Sequence, residues 1–218
     1  MLHRSVSSKC ITDLRKKSGK SGTSRTCHSE RILFMNITVY LGASEGNDPS
    51  FQKITEQLGT WIGSHGHHLI YGGSKIGLMG ILADAALRAG GHVTGVEPQM
   101  FVDAVAQHEG IDELIVTRDM TERKKILVDR ADAYIALPGG SGTLEEIADS
   151  ISAVKLRHFS DPVHAARSKP IILVNWQGFY EPLRRMLAVM VRSGFLDAET
   201  ADSISYISAV RELDQLLP

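Results

Sequence analysis

The run Leu137-Pro-Gly-Gly-Ser-Gly-Thr-Leu-Glu-Glu146 joins residues that can hold a phosphate to a carboxylate that could act beside it. Glycines let backbone N–H groups approach an anion with no Cβ in the way. A helix starting there adds unpaired donors and a favourable dipole. Two common nucleotide loops do not fit. A Walker loop ends in Gly-Lys-Ser/Thr, whereas here Gly142 leads directly to Thr143. The dinucleotide fingerprint Gly-x-Gly-x-x-Gly also fails, because Gly140-x-Gly142 runs on into Thr143-Leu144-Glu145. Thr143-x-x-Glu146 has the spacing of a capping box, with Thr143 as the helix N-cap. Spacing alone therefore leaves Glu146 two readings: a cap of its own helix, or a carboxylate beside a bound phosphosugar.

A second constellation is Met120-Thr-Glu-Arg-Lys-Lys125. Arg123, Lys124 and Lys125 fall on the first turns of an expected helix, where the dipole disfavours cations. A solvated basic face is the ordinary reading. Arg123 could instead meet an anionic substrate, since its planar fork suits phosphate or ribose oxygens. Three more segments end expected strands: Leu41-Gly-Ala-Ser44, Tyr71-Gly-Gly-Ser-Lys-Ile-Gly-Leu-Met-Gly80 and Gly95-Val-Glu-Pro98. Gly72 and Gly73 suit either a tight turn or an anion loop, and Gly77 and Gly80 also suit close helix packing. Of the nine histidines, three lie in His65-Gly-His-His68, without a ligand spacing that points to a metal; they read as a loop entering a strand.

These groups need a scaffold that brings strand ends together. Short apolar runs at 37–41, 68–71, 92–96, 113–117, 133–137 and 170–175 have the length and flanking breakers of buried parallel strands. Helical stretches are expected between them at 49–64, 78–89, 121–130, 143–157 and 180–192, and 204–217 closes the chain as a strand or helix. Leu144, Ile147, Ala148, Ile151 and Val154 recur at three- and four-residue steps and predict one buried stripe. Strand–helix alternation implies a single α/β domain with a mostly parallel sheet, whose ligands sit at the carboxyl ends of the strands.

The 218 residues suit one domain with a sizeable core, and no apolar run reaches the roughly 20 residues a membrane helix needs. The net charge of −1 gives no reason to expect a nucleic-acid partner. Charge is uneven, though. Residues 1–34 carry eight Lys or Arg against Asp13 and Glu30, about +6, which leaves about −7 for the rest. This Ser-rich segment is expected to be a disordered extension preceding a domain at 35–218. It is open to three readings: sequence upstream of a natural start at Met35, a transit-type leader, or a nucleic-acid arm, since blocks of positive charge bind phosphates. Both cysteines, Cys10 and Cys27, fall in it, and a chain otherwise without thiols is compatible with a reducing cytoplasm.

Together, Gly72-Gly-Ser-Lys-Ile-Gly-Leu-Met-Gly80, Met120-Thr-Glu-Arg-Lys124 and Pro138-Gly-Gly-Ser-Gly-Thr-Leu-Glu-Glu146 resemble the Lonely Guy family over about residues 36–195. Members are phosphoribohydrolases that activate cytokinin, often mislabelled lysine decarboxylases. The resemblance implies a Rossmann-like fold, a homodimer with shared sites, and no cofactor or metal. The implied reaction splits a purine nucleoside 5′-monophosphate, of cytokinin or adenosine type, into free base and ribose 5-phosphate. Carried over by position, the catalytic pair falls on Arg123 and Glu146. The substrate would be bound by Lys124, Gly139, Gly140, Ser141, Gly142 and Thr143, with Ser44, Gly72, Gly73 and Met120 contributing.

There are departures. Leu41-Gly-Ala-Ser44 stands where many members read Cys-Gly-Ser-Ser, Thr121 replaces a common His, and Ala153 a frequent Trp. Glu97 puts an acid before Pro98 where many members are apolar. A decarboxylase reading fails because no lysine has an evident pyridoxal-phosphate setting. Two other function classes stay on the page: a nucleotide-binding sensor or carrier without turnover, and a nucleic-acid binder driven by the basic tail, whose binding would weaken steeply with salt.

Overall fold

The computed structural model describes residues 34–104, 106–160 and 169–218; for 157–160 it describes the backbone alone. The expected basic extension lies outside the described residues, apart from Phe34. Seven strands form one parallel sheet in the order β4-β3-β2-β1-β5-β6-β7: β1 (Asn36–Tyr40), β2 (His68–Tyr71), β3 (His92–Pro98), β4 (Glu113–Thr117), β5 (Ala133–Ala136), β6 (Ile171–Val174) and β7 (Ile204–Ile207). The chain starts in the middle, builds outward to β4, then returns beside β1 as β5 and builds the other way. The order reverses between β1 and β5, where an open α/β sheet leaves a crevice at its carboxyl edge.

Alternation along the central strands supplies both faces. On one face Ile37, Val39, Leu41, Leu69, Tyr71 and Ile135 pack against α1 (Ser50–Ser64) and α2 (Gly77–Arg88). On the other, Tyr40, Ile70, Val96, Tyr134 and Ala136 meet Leu127 of α4 (Met120–Arg130), Ile147 and Val154 of α5 (Ser141–Ser160), and Leu187 of α6 (Glu181–Arg192). Two short helices lacked a periodic signature: α3 (Gln99–Asp103) and α7 (Ala198–Asp202). The closing stretch is β7 followed by a 3-10 turn over Val210–Gln215.

Three local differences from expectation bear on the site. Strand β3 continues past Val96, because Glu97 and Pro98 pair with Val116 and Thr117 of β4. Helix α4 starts one residue early, with Asp119 as N-cap accepting from the Glu122 N–H at 2.9 Å. Helix α5 starts at Ser141, its first i→i+4 bond running from Leu144 N–H to the Gly140 carbonyl at 3.1 Å. Thr143 is therefore inside the helix and not its N-cap, and Glu146 lies too far along to close a capping box. The buried stripe is corrected as well. Leu144 is 50% exposed and Ala148 is exposed, while Thr143, Glu146, Ile147, Ser150 and Val154 face inward. Polar partners turn the helix this way: Ser150 Oγ meets Tyr40 Oη at 2.9 Å, and Glu146 meets Arg123.

Candidate active site

The crevice between β1 and β5 opens into a cavity of about 870 Å³. Its floor comes from the two strand ends on either side of the topological switch. Gly42 N–H donates to the Pro138 carbonyl at 3.3 Å, locking the 41–44 and 138–143 loops together. Contact is tight at Gly139, where a Cβ would fall 2.2 Å from Thr143 Oγ1 and 2.8 Å from the Gly42 nitrogen. At Gly140 and Gly142 the reverse holds: a Cβ would meet nothing within 4 Å. No protein neighbour requires those two glycines, yet both line the cavity. The N–H groups of Ser141, Gly142 and Thr143 precede the first intrahelical bond of α5, so they are free to face an anion.

Above this turn stands a buried ion pair. Arg123, 7% exposed on the first turn of α4, donates from Nη1 to Glu146 Oε1 at 2.8 Å, and Glu146 is itself only 8% exposed. Arg123 Nε donates to the Val96 carbonyl at 3.0 Å, which fixes the guanidinium over the end of β3. Burial pushes the Glu146 carboxyl above its ordinary range, and the adjacent guanidinium opposes that rise. The three cations of the basic run take three paths. Arg123 goes inside. Lys124 bridges to α5 through Glu145 Oε1 at 2.6 Å and Asp149 Oδ2 at 3.1 Å. Lys125 pairs on the surface with Asp129, so the solvated-face reading fits Lys125 alone.

Ser44, Met120, Arg123, Lys124, Gly139–Thr143 and Glu146 all line this one cavity. Gly72 and Gly73 do not. A Cβ on Gly72 would lie 2.6 Å from Arg123 Nη2 and 2.9 Å from Met79 Sδ, so the missing side chain makes room for the arginine. Gly73, at φ +90°, passes directly over Glu97. The sequence reading missed the apolar wall of Phe51, Leu78, Met79, Phe101 and Phe179. Phe179 comes from a loop in which Gln177 takes φ 52° and Trp176 Nε1 donates to Ser50 Oγ at 2.9 Å. Among the described residues, no group of three His, Cys, Asp or Glu side chains could hold a metal ion, and no helix is long and apolar enough to cross a membrane. His68 opens β2 and bonds Asn36 Oδ1 and Thr94 Oγ1, at 3.1 and 2.8 Å.

One cavity is thus lined by an open glycine turn, a buried Arg–Glu pair and a set of apolar side chains. A family model described as "Possible lysine decarboxylase" matches residues 79–217. The cytokinin riboside 5′-monophosphate phosphoribohydrolase LOG of Oryza sativa subsp. japonica is 36% identical over 183 residues, covering 84% of this chain and 72% of that protein. The cytokinin riboside 5′-monophosphate phosphoribohydrolase of Rhodococcoides fascians is 36% identical over 170 residues, 78% of this chain and 82% of its own. Among solved structures, the molybdenum cofactor binding protein of Rippkaea orientalis superposes with a TM-score of 0.63 at 24% identity, covering 84% and 95% of the two chains, a likeness of fold. By its sequence and its parallel α/β sheet, the chain belongs to the Lonely Guy family, the group of the cytokinin riboside 5′-monophosphate phosphoribohydrolases.

Proposed function

We propose that the protein hydrolyses the N-glycosidic bond of a purine nucleoside 5′-monophosphate, of cytokinin or adenosine type, releasing free base and ribose 5-phosphate. The observation that carries this is the Arg123–Glu146 pair, buried in the same cavity as a glycine turn with room for a phosphate. The 5′-phosphate sits on the N–H groups of 141–143, with Lys124 and Ser44 beside it. Phe51, Met79, Phe101 and Phe179 receive the base. As the C1′–N bond breaks, the base nitrogen takes the electron pair and the sugar gains oxocarbenium character. The Glu146 carboxylate stabilises that charge and draws a proton from the attacking water. Water's hydroxyl joins C1′ and its proton reaches the base. Arg123 aims Glu146 and opposes the rise that burial imposes on its carboxyl, and the phosphate anchor orients the sugar.

Decarboxylation through a lysine Schiff base has little to stand on. Lys124 is the cavity's one lysine among the described residues, and its two carboxylate partners hold its ammonium above the ordinary range, led by Glu145. A Schiff base needs a neutral amine.

The reading includes a homodimer working in the cytoplasm. Phe101, Met120 and Phe179 lie exposed at the cavity, apolar surface that a second copy would cover. Sedimentation at micromolar concentration tests the dimer. For the chemistry, the protein is incubated with AMP and with a cytokinin riboside monophosphate, and free base is measured. Glu146→Gln and Arg123→Ala are each expected to lower turnover about 10²–10³-fold. Near-normal release from either variant refutes the assignment, and saturable binding without release identifies a carrier or sensor instead.

A further inference from the structure

Tyr180 bonds to the strand end that opens the phosphate turn and packs on the apolar wall. It follows Phe179, which lines the cavity, and stands at the N-cap position of α6 with 5% of its surface exposed. Its Oη donates to the Leu137 carbonyl at 2.5 Å. Its ring meets the Phe179 ring edge to face, with centroids 5.1 Å apart. Its backbone N–H donates to Asn175 Oδ1 at 2.7 Å, and the Asn175 N–H donates to the Ile207 carbonyl of β7, also at 2.7 Å.

We propose that Tyr180 is a positioning residue: its hydroxyl holds the strand end from which the 138–143 turn departs, and so keeps that turn in the shape that takes a phosphate. This deepens the phosphate reading of the turn and rests on it.

The argument lies in one displaced hydrogen bond. Leu137 N–H donates to the Tyr40 carbonyl at 2.9 Å, as a regular β1–β5 ladder requires. In a regular parallel ladder the Leu137 carbonyl would then accept from the Gly42 N–H, two residues beyond Tyr40. Gly42 donates instead to the Pro138 carbonyl, one residue further on, at 3.3 Å. Tyr180 Oη takes the vacated place on Leu137, so the carbonyl stays paired although the ladder has ended. Burial holds the phenol well above its ordinary range, with the charge of Glu146 adding to the effect, so Oη remains a donor. Without that hydroxyl, the buried Leu137 carbonyl competes with Pro138 for the Gly42 N–H. Gly42 cannot slip alone, because a Cβ on Gly139 would fall 2.8 Å from its nitrogen, and the turn is packed on it. Slippage of the ladder therefore moves Gly139 and the N–H groups that follow.

Tyr180→Phe removes the hydroxyl and keeps the ring against Phe179. Calorimetry on the full chain compares two ligands, ribose 5-phosphate for the turn and adenosine for the apolar wall. The variant is expected to bind ribose 5-phosphate about five- to tenfold more weakly, the scale of one lost hydrogen bond, and adenosine as the wild type does. Unchanged affinity for ribose 5-phosphate overturns the proposal. An equal loss for both ligands also overturns it, since that marks a general loosening of the fold. In base release from AMP, KM should rise by a similar factor, and an unchanged KM counts against Tyr180 in the same way. If neither protein releases base, the hydrolase reading fails, while the calorimetry still decides the role of Tyr180. If the wild type binds no ribose 5-phosphate, the phosphate turn is refuted and the role of Tyr180 with it.

Discussion

Replacing Arg123 with methionine tests the energetics of the site without any substrate. Methionine keeps the aliphatic bulk and removes the charge. Two hydrogen bonds go: Nε to the Val96 carbonyl, and Nη1 to Glu146. The first loss costs about 1 kcal/mol whatever the pH. The second leaves a carboxyl that is 8% exposed with no cation, and it escapes the cost of a buried charge by keeping a proton. Unfolded, Glu146 titrates near the ordinary value of 4.5, so holding its proton in the folded state at pH 7 costs up to about 3.5 kcal/mol, at about 1.4 kcal/mol per pH unit. The sign follows from linkage. A carboxyl whose folded pKa is raised contributes stability that is present below 4.5 and lost as pH rises toward the folded value. The gap between variant and wild type should therefore be about 1 kcal/mol at pH 4.5 and widen as pH rises, by less than the full proton-holding cost at pH 7 because the wild-type carboxyl is itself raised. Urea unfolding followed by tryptophan fluorescence across pH 4.5–8 measures it, and adding Glu146→Gln should remove the Glu146 share of the slope. A gap that does not change with pH would refute a charge-bearing buried pair.

Other outcomes follow from the glycines and from Glu97. Gly140→Ala should leave the melting temperature within a degree or two, as its Cβ meets no protein atom, while weakening AMP binding at least tenfold (about 1.4 kcal/mol); calorimetry of both quantities checks it. Gly72→Ala should show a different pattern, cutting turnover by displacing Arg123 Nη2 while leaving the phosphate turn able to bind ribose 5-phosphate. Gly59→Ala puts a methyl 2.4 Å from the Leu82 carbonyl between α1 and α2 and should destabilise by about 1–3 kcal/mol in urea without touching the site. Glu97→Gln should stabilise increasingly as pH rises above 4.5, since burial raises the Glu97 carboxyl and its folded-state proton uptake is then abolished.

What could be read from the chain divides by the range of the interactions involved. The strands declared themselves because a buried parallel sheet demands short apolar runs, and the main helices because their apolar spacing survives whatever packs on them. Helix α3 spans five residues, too few to show a period, although Pro98 marks where β3 must stop. Helix α7 did carry a signal: Asp197 accepts from the Thr200 N–H at 2.7 Å, an N-cap readable from Asp197-Ala-Glu-Thr200. The apolar wall was less accessible. Phe179 reaches the cavity only through the unusual Gln177 backbone and the tie from Trp176 to Ser50, 126 positions apart. Gly72 misleads for the same reason. Locally it looks like part of an anion loop, but its missing side chain answers to an arginine that enters from another helix.

Glu146 shows how far a three-residue shift can carry a functional argument. With Thr143 as N-cap, Glu146 would occupy the third helical position and could satisfy its own helix end, with no chemistry implied. Starting α5 at Ser141 moves the vacant N–H groups to residues 141–143, and Glu146 becomes a mid-helix side chain one and a half turns in. A carboxylate there has no backbone donor to serve, and burying it is unfavourable unless another group compensates. The compensation comes from α4, where Asp119 caps the helix and brings Arg123 onto the inner face. A pair that supported the fold alone could be replaced by apolar side chains of similar size with little loss, or even some gain, of stability. An Arg123→Met, Glu146→Leu double variant is therefore expected to fold at least as well as either single change while releasing no base. If such a variant kept its turnover, the pair would be scaffolding, and the chemistry would have to be sought elsewhere in the cavity.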